Sequence, residues 1–385
     1  MIVNPRRKTI VATGSKQRGV ALLASLILML AVVMALTNIF YRHQIDVAQA
    51  TSALHGDQAL LLAISGENWA RDLLSEGLDD PDVDSFDEDW AQAMPLMPVD
   101  GGQLSGCISD LQANINLNNF AAYGVQTLKD EMDSEVVGHA KLWINLLQLL
   151  ELSADPSRIA TIIDWVDEDS TPINSWGAEQ ADYDSMQPPR VPANSRISDV
   201  SELAAISGYE VFEVQRLAPW LAALPVTTKI NINTASDEVL TAMGGDFAEQ
   251  FMEVVIEDRP FAAVADFHQA ISRAFQFSLP DTSMRWPASL VDVKSDYFQL
   301  YMEVSLGEAR IEVKSIMDRR DRGAPVIISR EVVVVPASLP EQSPEKLSAA
   351  EELFADEAYE GRNINQSMET NRVQPACLMM GEFTQ

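Results

Sequence analysis

An uncharged stretch of 22 residues near the N-terminus, residues 20–41, constrains the architecture of this chain more than any other feature. As an α-helix it would be about 33 Å long at ~1.5 Å per residue, which is enough to cross the apolar core of a bilayer. The preceding residues, 1–19, carry five basic side chains and no acidic one, whereas the chain that follows is acidic. The positive-inside rule therefore predicts one membrane-spanning helix, with the leader in the cytoplasm and the body outside it.

The acidity of the body limits its ligands. The formal net charge of the 385-residue chain is −30, and the part beyond the basic leader is more acidic still. Such a charge repels phosphate backbones, so nucleic acid is not an expected ligand. It suits an extracytoplasmic protein or one that binds cations, although solubility alone would also explain it.

Helix-compatible sequence continues beyond the apolar stretch. Residues 42–65 contain no proline and only one glycine, Gly56. We therefore expect one N-terminal helix over residues 20–78, of which residues 20–41 span the membrane.

Alternating apolar residues predict four strands further along the chain. These strands span residues 101–111, 297–306, 309–317 and 326–335. They most simply form one antiparallel sheet packed on the N-terminal helix, which makes the fold class α+β. The sheet domain would comprise residues 79–112 and 291–335, with residues 113–290 inserted as an all-helical domain. Residues 336–385 are rich in Pro, Glu, Ser and Gln and are expected to be disordered.

The first acidic cluster, residues 79–89, has seven acids and begins like an EF-hand loop. The aspartates that match the pattern are Asp80, Asp82 and Asp84. The sixth and twelfth positions, however, hold Ser85 and Ala91 in place of the expected Gly and Glu. We interpret this segment as a solvated loop that continues through Pro95 and Pro98.

The insertion contains apolar helical segments and one helical-hairpin motif. The predicted helices span residues 142–152, 157–166, 198–206 and 209–223. Residues 229–240 look like the start of a helix-hairpin-helix unit, whose DNA-binding versions offer backbone N–H groups to phosphate. Here the hairpin at residues 243–249 is acidic, so a structural role is favoured over nucleic-acid binding.

The second acidic cluster follows the helix predicted at residues 157–166. Seven acids and no basic residue lie between Arg158 and Arg190. The candidate ligands for a cation in this segment are Asp167, Asp169, Glu179, Asp182 and Asn194. Oxygen donors without His or Cys favour calcium over zinc, although on charge alone a solvated acidic loop is the preferred interpretation.

The two cysteines, Cys107 and Cys377, permit one disulfide in an exported chain, and two unrelated thiols are the alternative. No nucleophile elbow, P-loop or dinucleotide-binding motif occurs in the sequence. We therefore name no catalytic residue and do not expect an enzyme.

The N-terminal region resembles the type IV prepilin class, in which a basic leader ends in glycine before a long apolar helix. In that class a prepilin peptidase cuts after the glycine, so the resemblance implies cleavage between Gly19 and Val20. Most members have Glu at the fifth mature position, whereas this chain has Ala24. Absence of that Glu is typical of the minor pseudopilin K of type II secretion. On this region alone, a plain signal anchor remains the alternative.

Further motifs are similar to those of the pseudopilin K family. They are Trp90-Ala91-Gln92, Gly101-Gly102, Ile108 to Leu111, Ile115 to Asn119, Asp164-Trp-Val-Asp-Glu-Asp169, Gly177-Ala-Glu179, Pro188-Pro189, Asn194 and Glu202-Leu203. The resemblance implies a pilin-type α/β domain, a large helical insertion and bound calcium. Carried over by position, it favours Asp167, Asp169 and Glu179 as ligands.

The resemblance also implies a function. Such a chain would be a single-pass inner-membrane protein with its body in the periplasm, placed at the tip of the type II secretion pseudopilus. There it would initiate or cap the filament for export of folded proteins across the outer membrane. Its partners would be prepilin peptidase and the minor pseudopilins I and J, with H as a further candidate. The alternative function is a membrane-anchored periplasmic binding protein that uses the helix-hairpin-helix-like module.

Overall fold

The computed structural model describes residues 18–76, 83–92, 94–321 and 324–335. The helices are α1 Arg18–Glu76, α2 Val125–Met132, α3 His139–Leu149, α4 Ser157–Val166, α5 Gln180–Asp184, α6 Val211–Leu217, α7 Asp237–Gly244, α8 Ala248–Asp258, α9 Val264–Phe275 and α10 Leu279–Arg285. The strands are β1 Met94–Val99, β2 Gly102–Asp110, β3 Ile115–Asn116, β4 Leu221–Ala222, β5 Ile230–Asn231, β6 Val291–Asp292, β7 Tyr297–Leu306, β8 Ala309–Asp318 and β9 Val326–Val335.

The long N-terminal helix is confirmed as α1, which runs without a break for 59 residues. Within the described residues, it is the one helix that is long and apolar enough to cross a membrane. The chain forms two compact units, residues 1–58 and 59–385, and α1 contributes to both. The described part of the helix reaches Glu76, and the predicted end at residue 78 lies among residues 77–82, which are outside the described residues.

The predicted antiparallel sheet is confirmed, in the order β1-β2-β7-β8-β9. The last part of α1 packs on one face of it through small side chains, Ala59, Ala63 and Ala70, which are fully buried. The core between helix and sheet also contains Leu104, Ile108, Phe298, Leu300, Met302, Val304, Ile311, Val313 and Met317. Alternate residues of β2, β7 and β8 face this core, as the period of two requires.

Strand β1 is a difference from the sequence prediction, which took Pro95 and Pro98 as part of a loop. The segment pairs antiparallel with β2, and its register shifts between Met94 and Met97. Proline is tolerated there because β1 is an edge strand, whose outward N–H groups have no strand partner. The prolines therefore mark a sheet edge and not a loop.

A buried carboxylate links α1 to the far side of the sheet. Glu67 is 1 % exposed and receives two hydrogen bonds from Arg330 of β9, at 2.6 and 2.5 Å. The Ser315 hydroxyl donates a third at 2.5 Å. Because a buried charge is costly without such partners, this contact fixes the position of α1 across β8 and β9.

The solvated-loop interpretation of the first acidic cluster is wrong for Asp84. This side chain is 1 % exposed, and both of its carboxylate oxygens lie 2.6 Å from Nη2 of Arg319. The backbone N–H of Ser295 donates to it at 2.7 Å. A single sequence does not reveal a partner 235 residues away. Asp80 and Asp82 lie outside the described residues.

A second buried carboxylate joins the insertion to the sheet. Asp110, at the end of β2, accepts hydrogen bonds from the side chains of Thr234 (2.6 Å), Asn231 (3.1 Å) and Ser295 (2.6 Å). It also accepts the backbone N–H of Gln112 at 2.7 Å. Burial raises the pKa of Asp110 to about 6. The joint is thus an acceptor with four donors, which fixes the orientation of the inserted domain.

The insertion is mainly helical, as predicted, but two short parallel ladders organise it as a repeat. Strand β3 pairs with β4, and β5 pairs with β6. Each half begins with Ile-Asn-x-Asn, at residues 115–118 and 230–233. In each half the second Asn bonds the N–H of a distant loop residue, Asn118 to Ile197 and Asn233 to Phe261, both at 2.8 Å. At the centre of the domain, these asparagine side chains thus bond backbone N–H groups of loops that belong to no strand.

The predicted helices of the insertion match to different extents. The helix at 157–166 is α4, and the helix at 142–152 is α3, which begins three residues earlier. Residues 198–206 form 3₁₀ turns over Val200–Ala205 and not an α-helix. The helix predicted at 209–223 ends at Leu217, because residues 218–222 form a 3₁₀ turn and then β4. Pairing with β3 there overrides helix propensity.

Candidate metal centre

The loop after α4 is organised by a buried carboxylate, Asp164. Its two oxygens accept the backbone N–H groups of Ile173 and Ala178, each at 2.8 Å. Burial raises its pKa to about 6. Glycine is required at Gly177, because a Cβ there would overlap with Asp164 Oδ2. The sequence analysis included Asp164 in a motif but did not identify this positioning role.

Three acidic side chains converge where that loop returns to α5. Asp167 is the C-cap of α4, Asp169 follows it, and Glu179 is the N-cap of α5. One carboxylate oxygen from each lies within 4.8 Å of the others. Oxygens bound to one calcium ion at 2.3–2.6 Å are separated by up to about 5 Å. The spacing therefore fits a shared cation.

Unpartnered oxygens are the second sign of a cation. The buried oxygens without a hydrogen-bond donor here are Asp167 Oδ1, Glu179 Oε1, Glu179 Oε2 and Asn194 Oδ1. Buried acceptors are normally satisfied, and leaving one unsatisfied costs about 1–3 kcal/mol, or more for a charged group. Four such atoms, three between α4 and α5 and one on Asn194 beside Asp169, are explained if a cation supplies the missing positive charge.

The electrostatics of the cluster agree with this explanation. Burial is the main cause that raises the pKa of Glu179 to about 7, and the carboxylates of Asp164, Asp167, Asp169 and Asp182 raise it further. Burial, then Asp169, also raise the pKa of Asp167. Without a cation, full ionisation of these carboxylates is therefore unfavourable. A divalent cation would reverse that preference.

The five predicted ligands are placed differently. Asp167, Asp169 and Glu179 come together, as the spacing suggested. Asn194 lies beside them, because its Nδ2 donates to the backbone oxygen of Asp169 at 2.6 Å while its Oδ1 stays unpartnered. Asp182 has a positioning contact, since its Oδ2 accepts the N–H of Glu179 at 3.0 Å. All donors are oxygen atoms, so the set fits calcium better than zinc or copper.

The helix-hairpin-helix-like segment forms the α7–α8 hairpin. Ser236 caps α7 by accepting the N–H of Val239 at 3.2 Å. The turn that follows contains Gly245 with φ of 52° and the acidic Asp246, and Glu249 lies in the first turn of α8. Acidic side chains at the hairpin would repel a phosphate, so its geometry favours packing within the insertion.

The remaining predicted residues lie outside this centre. Gly19 is in the first turn of α1 and Val20 follows it, so cleavage between them stays a prediction. Cys107 lies buried on β2 opposite Tyr301, and no cysteine among the described residues is free. Cys377 lies outside the described residues, so its pairing with Cys107 also stays a prediction.

A long N-terminal helix on an antiparallel sheet, with a helical domain inserted between β2 and β7, defines a pilin-like protein with a large insertion. Two family models described as "Type II secretion system (T2SS), protein K" match residues 113–226 and 230–279. The chain is 31 % identical over 331 residues to the type II secretion system protein K of Pseudomonas aeruginosa, covering 82 % of this chain and 93 % of that protein. The chain therefore belongs to the type II secretion system protein K family.

Other relatives agree with this assignment. The protein K of Aeromonas hydrophila is 29 % identical over 331 residues, covering 82 % of this chain and 97 % of that protein. The fold is that of a chain in the crystal structure of the GspK-GspI-GspJ complex from the type 2 secretion system of enterotoxigenic Escherichia coli, with a TM-score of 0.63. The match covers 74 % of this chain and 99 % of that chain, at 22 % identity. The chain is thus a component of a protein-secretion system.

Proposed function

We propose that this minor pseudopilin forms the tip of the type II secretion pseudopilus, where it initiates or caps the filament for export of folded proteins across the outer membrane. The carrying observation is where the insertion joins the sheet. Arg319 donates to the backbone oxygens of Ser295, just before β7, at 2.7 Å and of Leu74, near the end of α1, at 3.4 Å. Asp110, just before the insertion, accepts a hydrogen bond from the same Ser295 at 2.6 Å, so the insertion begins and ends near the end of α1. Its bulk there would obstruct addition of another subunit above.

The N-terminal helix supports the same proposal. Residues 20–41 are exposed and uncharged, so the helix can lie in the inner membrane and later pack beside other helices in a filament. In ordinary pilins the fifth-position Glu is thought to offset the N-terminal amine of an adjoining subunit. Ala24 cannot do this. A subunit that cannot pair with the N-terminal amine of an adjoining subunit suits a position at the end of the filament.

The proposed partners are the minor pseudopilins I and J, with H as a further candidate. Support comes from the fold shared with a chain of the GspK-GspI-GspJ complex. In this arrangement α1 is held in the inner membrane as a single-pass anchor and the body lies in the periplasm. Gold labelling of the insertion in purified pseudopili should mark one end of each filament with a single label. Labels distributed along the filaments would contradict the tip position.

Processing by prepilin peptidase is part of the proposal. Co-expression with the peptidase should give a chain that starts at Val20, as read by N-terminal sequencing. Gly19→Val should block this, because the peptidase of the prepilin class cuts after glycine. Gly14→Val, in the same leader, is the matched control and should be processed normally. A wild-type chain that keeps its leader would contradict this part.

Calcium is the cation proposed for Asp167, Asp169 and Glu179, with Asn194 beside them. Bound calcium would neutralise their charge and hold the loop between α4 and α5 in one arrangement. The residues would supply carboxylate and amide oxygens, with Asp164 and Asp182 positioning the loop. Addition of millimolar calcium to the metal-free chain should raise its melting temperature. An unchanged melting temperature would remove the metal from the proposal.

A further inference from the structure

The two edges of the five-stranded sheet differ in their protection. Edge strand β1 contains Pro95 and Pro98, which lack an N–H group and so discourage pairing with a further strand. Edge strand β9 is ten residues long and contains neither proline nor glycine. Within the described residues, β9 pairs with β8 on one side only. One edge is thus blocked, and the other has the features of a pairing edge.

Most side chains of β9 are apolar, and exposed apolar side chains occur on both faces of the strand. The exposed ones, at 40–68 %, are Val326, Ile328, Val332, Val333 and Val334. Val332 and Val334 lie opposite Val313 and Ile311 of β8, whose side chains are buried on the α1 side. Val333 lies opposite Glu312 and so faces the other side. A helix or loop docked on one face would cover only one of these sets, whereas an added strand contacts both.

Charge selects among strands that could pair there. Arg330 is bonded to Glu67, which leaves Glu331 as the exposed charge in the middle of β9. A second copy of this chain, whose net charge is −30 over its full length, would bring an acidic body against another of the same sign. A strand from a different protein, with β-branched residues and a basic residue opposite Glu331, is the complementary occupant.

We propose that β9 is a docking edge for an extended strand of a different subunit, which enlarges the sheet to six strands. The inference rests on the proposed function, because the candidate subunits are the minor pseudopilins I and J. Backbone hydrogen bonds of the edge provide affinity, and the valines and Glu331 provide specificity. The blocked β1 edge restricts this growth to one side of the sheet.

Hydrogen exchange on the full mature chain in detergent, with and without purified I and J, tests the proposal. Those amides of residues 326–335 that point away from β8 should exchange at least tenfold more slowly in the complex, while β1 amides are unchanged. Binding of the Val332→Lys/Val334→Lys variant should be weakened at least tenfold, because both sites are exposed and lysine is a natural edge protector. Leu96→Lys, at a 61 % exposed position of β1, is the matched control and should change binding less than twofold.

The outcomes separate this inference from the proposed function. A complex that forms with unchanged β9 exchange and with full affinity in the lysine variant would overturn the inference and leave the partners in place. Absence of any complex with I and J would overturn both. Protection, in the chain alone, of the β9 amides that point away from β8 would also overturn it. If that protection disappears on truncation after Val335, the chain covers its own edge; if it grows with concentration, a second copy does.

Discussion

Calcium binding at the centre formed by Asp167, Asp169 and Glu179 should depend on pH, because binding displaces a proton from Glu179. The pKa of Glu179 is raised to about 7 by burial and by neighbouring carboxylates. At pH 6 this group is roughly 90 % protonated, and at pH 8 roughly 10 %. A calcium ion needs the ionised form, so the apparent affinity should fall about tenfold from pH 8 to pH 6. A tenfold change corresponds to about 1.4 kcal/mol.

Titration calorimetry of the mature chain in detergent measures both the affinity and the protons released. Repeating the titration in two buffers of different ionisation enthalpy should give about one proton released at pH 6 and about 0.1 at pH 8. In Glu179→Gln the affinity should be lower throughout, and most of the pH dependence should disappear. Glu168→Gln makes the same charge change at an exposed residue outside the cluster and should behave like the wild type.

The folding stability of the metal-free chain should change with pH in the opposite direction to its calcium affinity. Since the folded state holds the Glu179 proton more tightly than the unfolded state, its contribution to stability decreases as pH rises from about 4.5 to about 7. Metal-free Glu179→Gln should therefore be more stable than the wild type at pH 8, yet gain less from calcium. Equal calcium affinity of the wild type at pH 6 and pH 8 would refute the proton-linked site. An equal loss of calcium affinity in Glu168→Gln and Glu179→Gln would also refute it.

The sequence predicted those parts of the structure that depend on local pattern. Unbroken apolar or alternating segments predicted α1, β7, β8 and β9 to within a few residues. The spacing of acids around a helix end placed Asp167, Asp169 and Glu179 in one loop, where the structure brings them together. These features depend on neighbours in the chain, which a single sequence displays.

Contacts between distant segments explain what the sequence did not predict. Asp84 looked like a loop residue because Arg319, its partner, is far along the chain. Strand β1 looked like a loop because its prolines are compatible with a strand only at a sheet edge. Asp164 and Asp182 could not be separated from the ligands by composition, since only the hydrogen bonds of the loop show which carboxylates are already used. Ligand oxygens differ from these carboxylates in having no hydrogen-bond partner, and this difference can be seen only in the folded structure.

Two further substitutions test the contacts on which the fold and the site depend. Arg319→Ala should destabilise the body by about 3–5 kcal/mol, because it leaves the Asp84 carboxylate buried without its charge partner. Thermal unfolding measures this loss. The control is Arg320→Ala at the exposed neighbouring residue, which should cost at most about 1 kcal/mol. Gly177→Ala should weaken calcium binding by about 10–100-fold, because its Cβ would displace the loop that Asp164 positions. Gly124→Ala, where a Cβ meets nothing within 4 Å, is the control for calorimetry. If Gly177→Ala binds calcium as tightly as the control does, close packing of the loop against Asp164 is not what sets the ligand geometry.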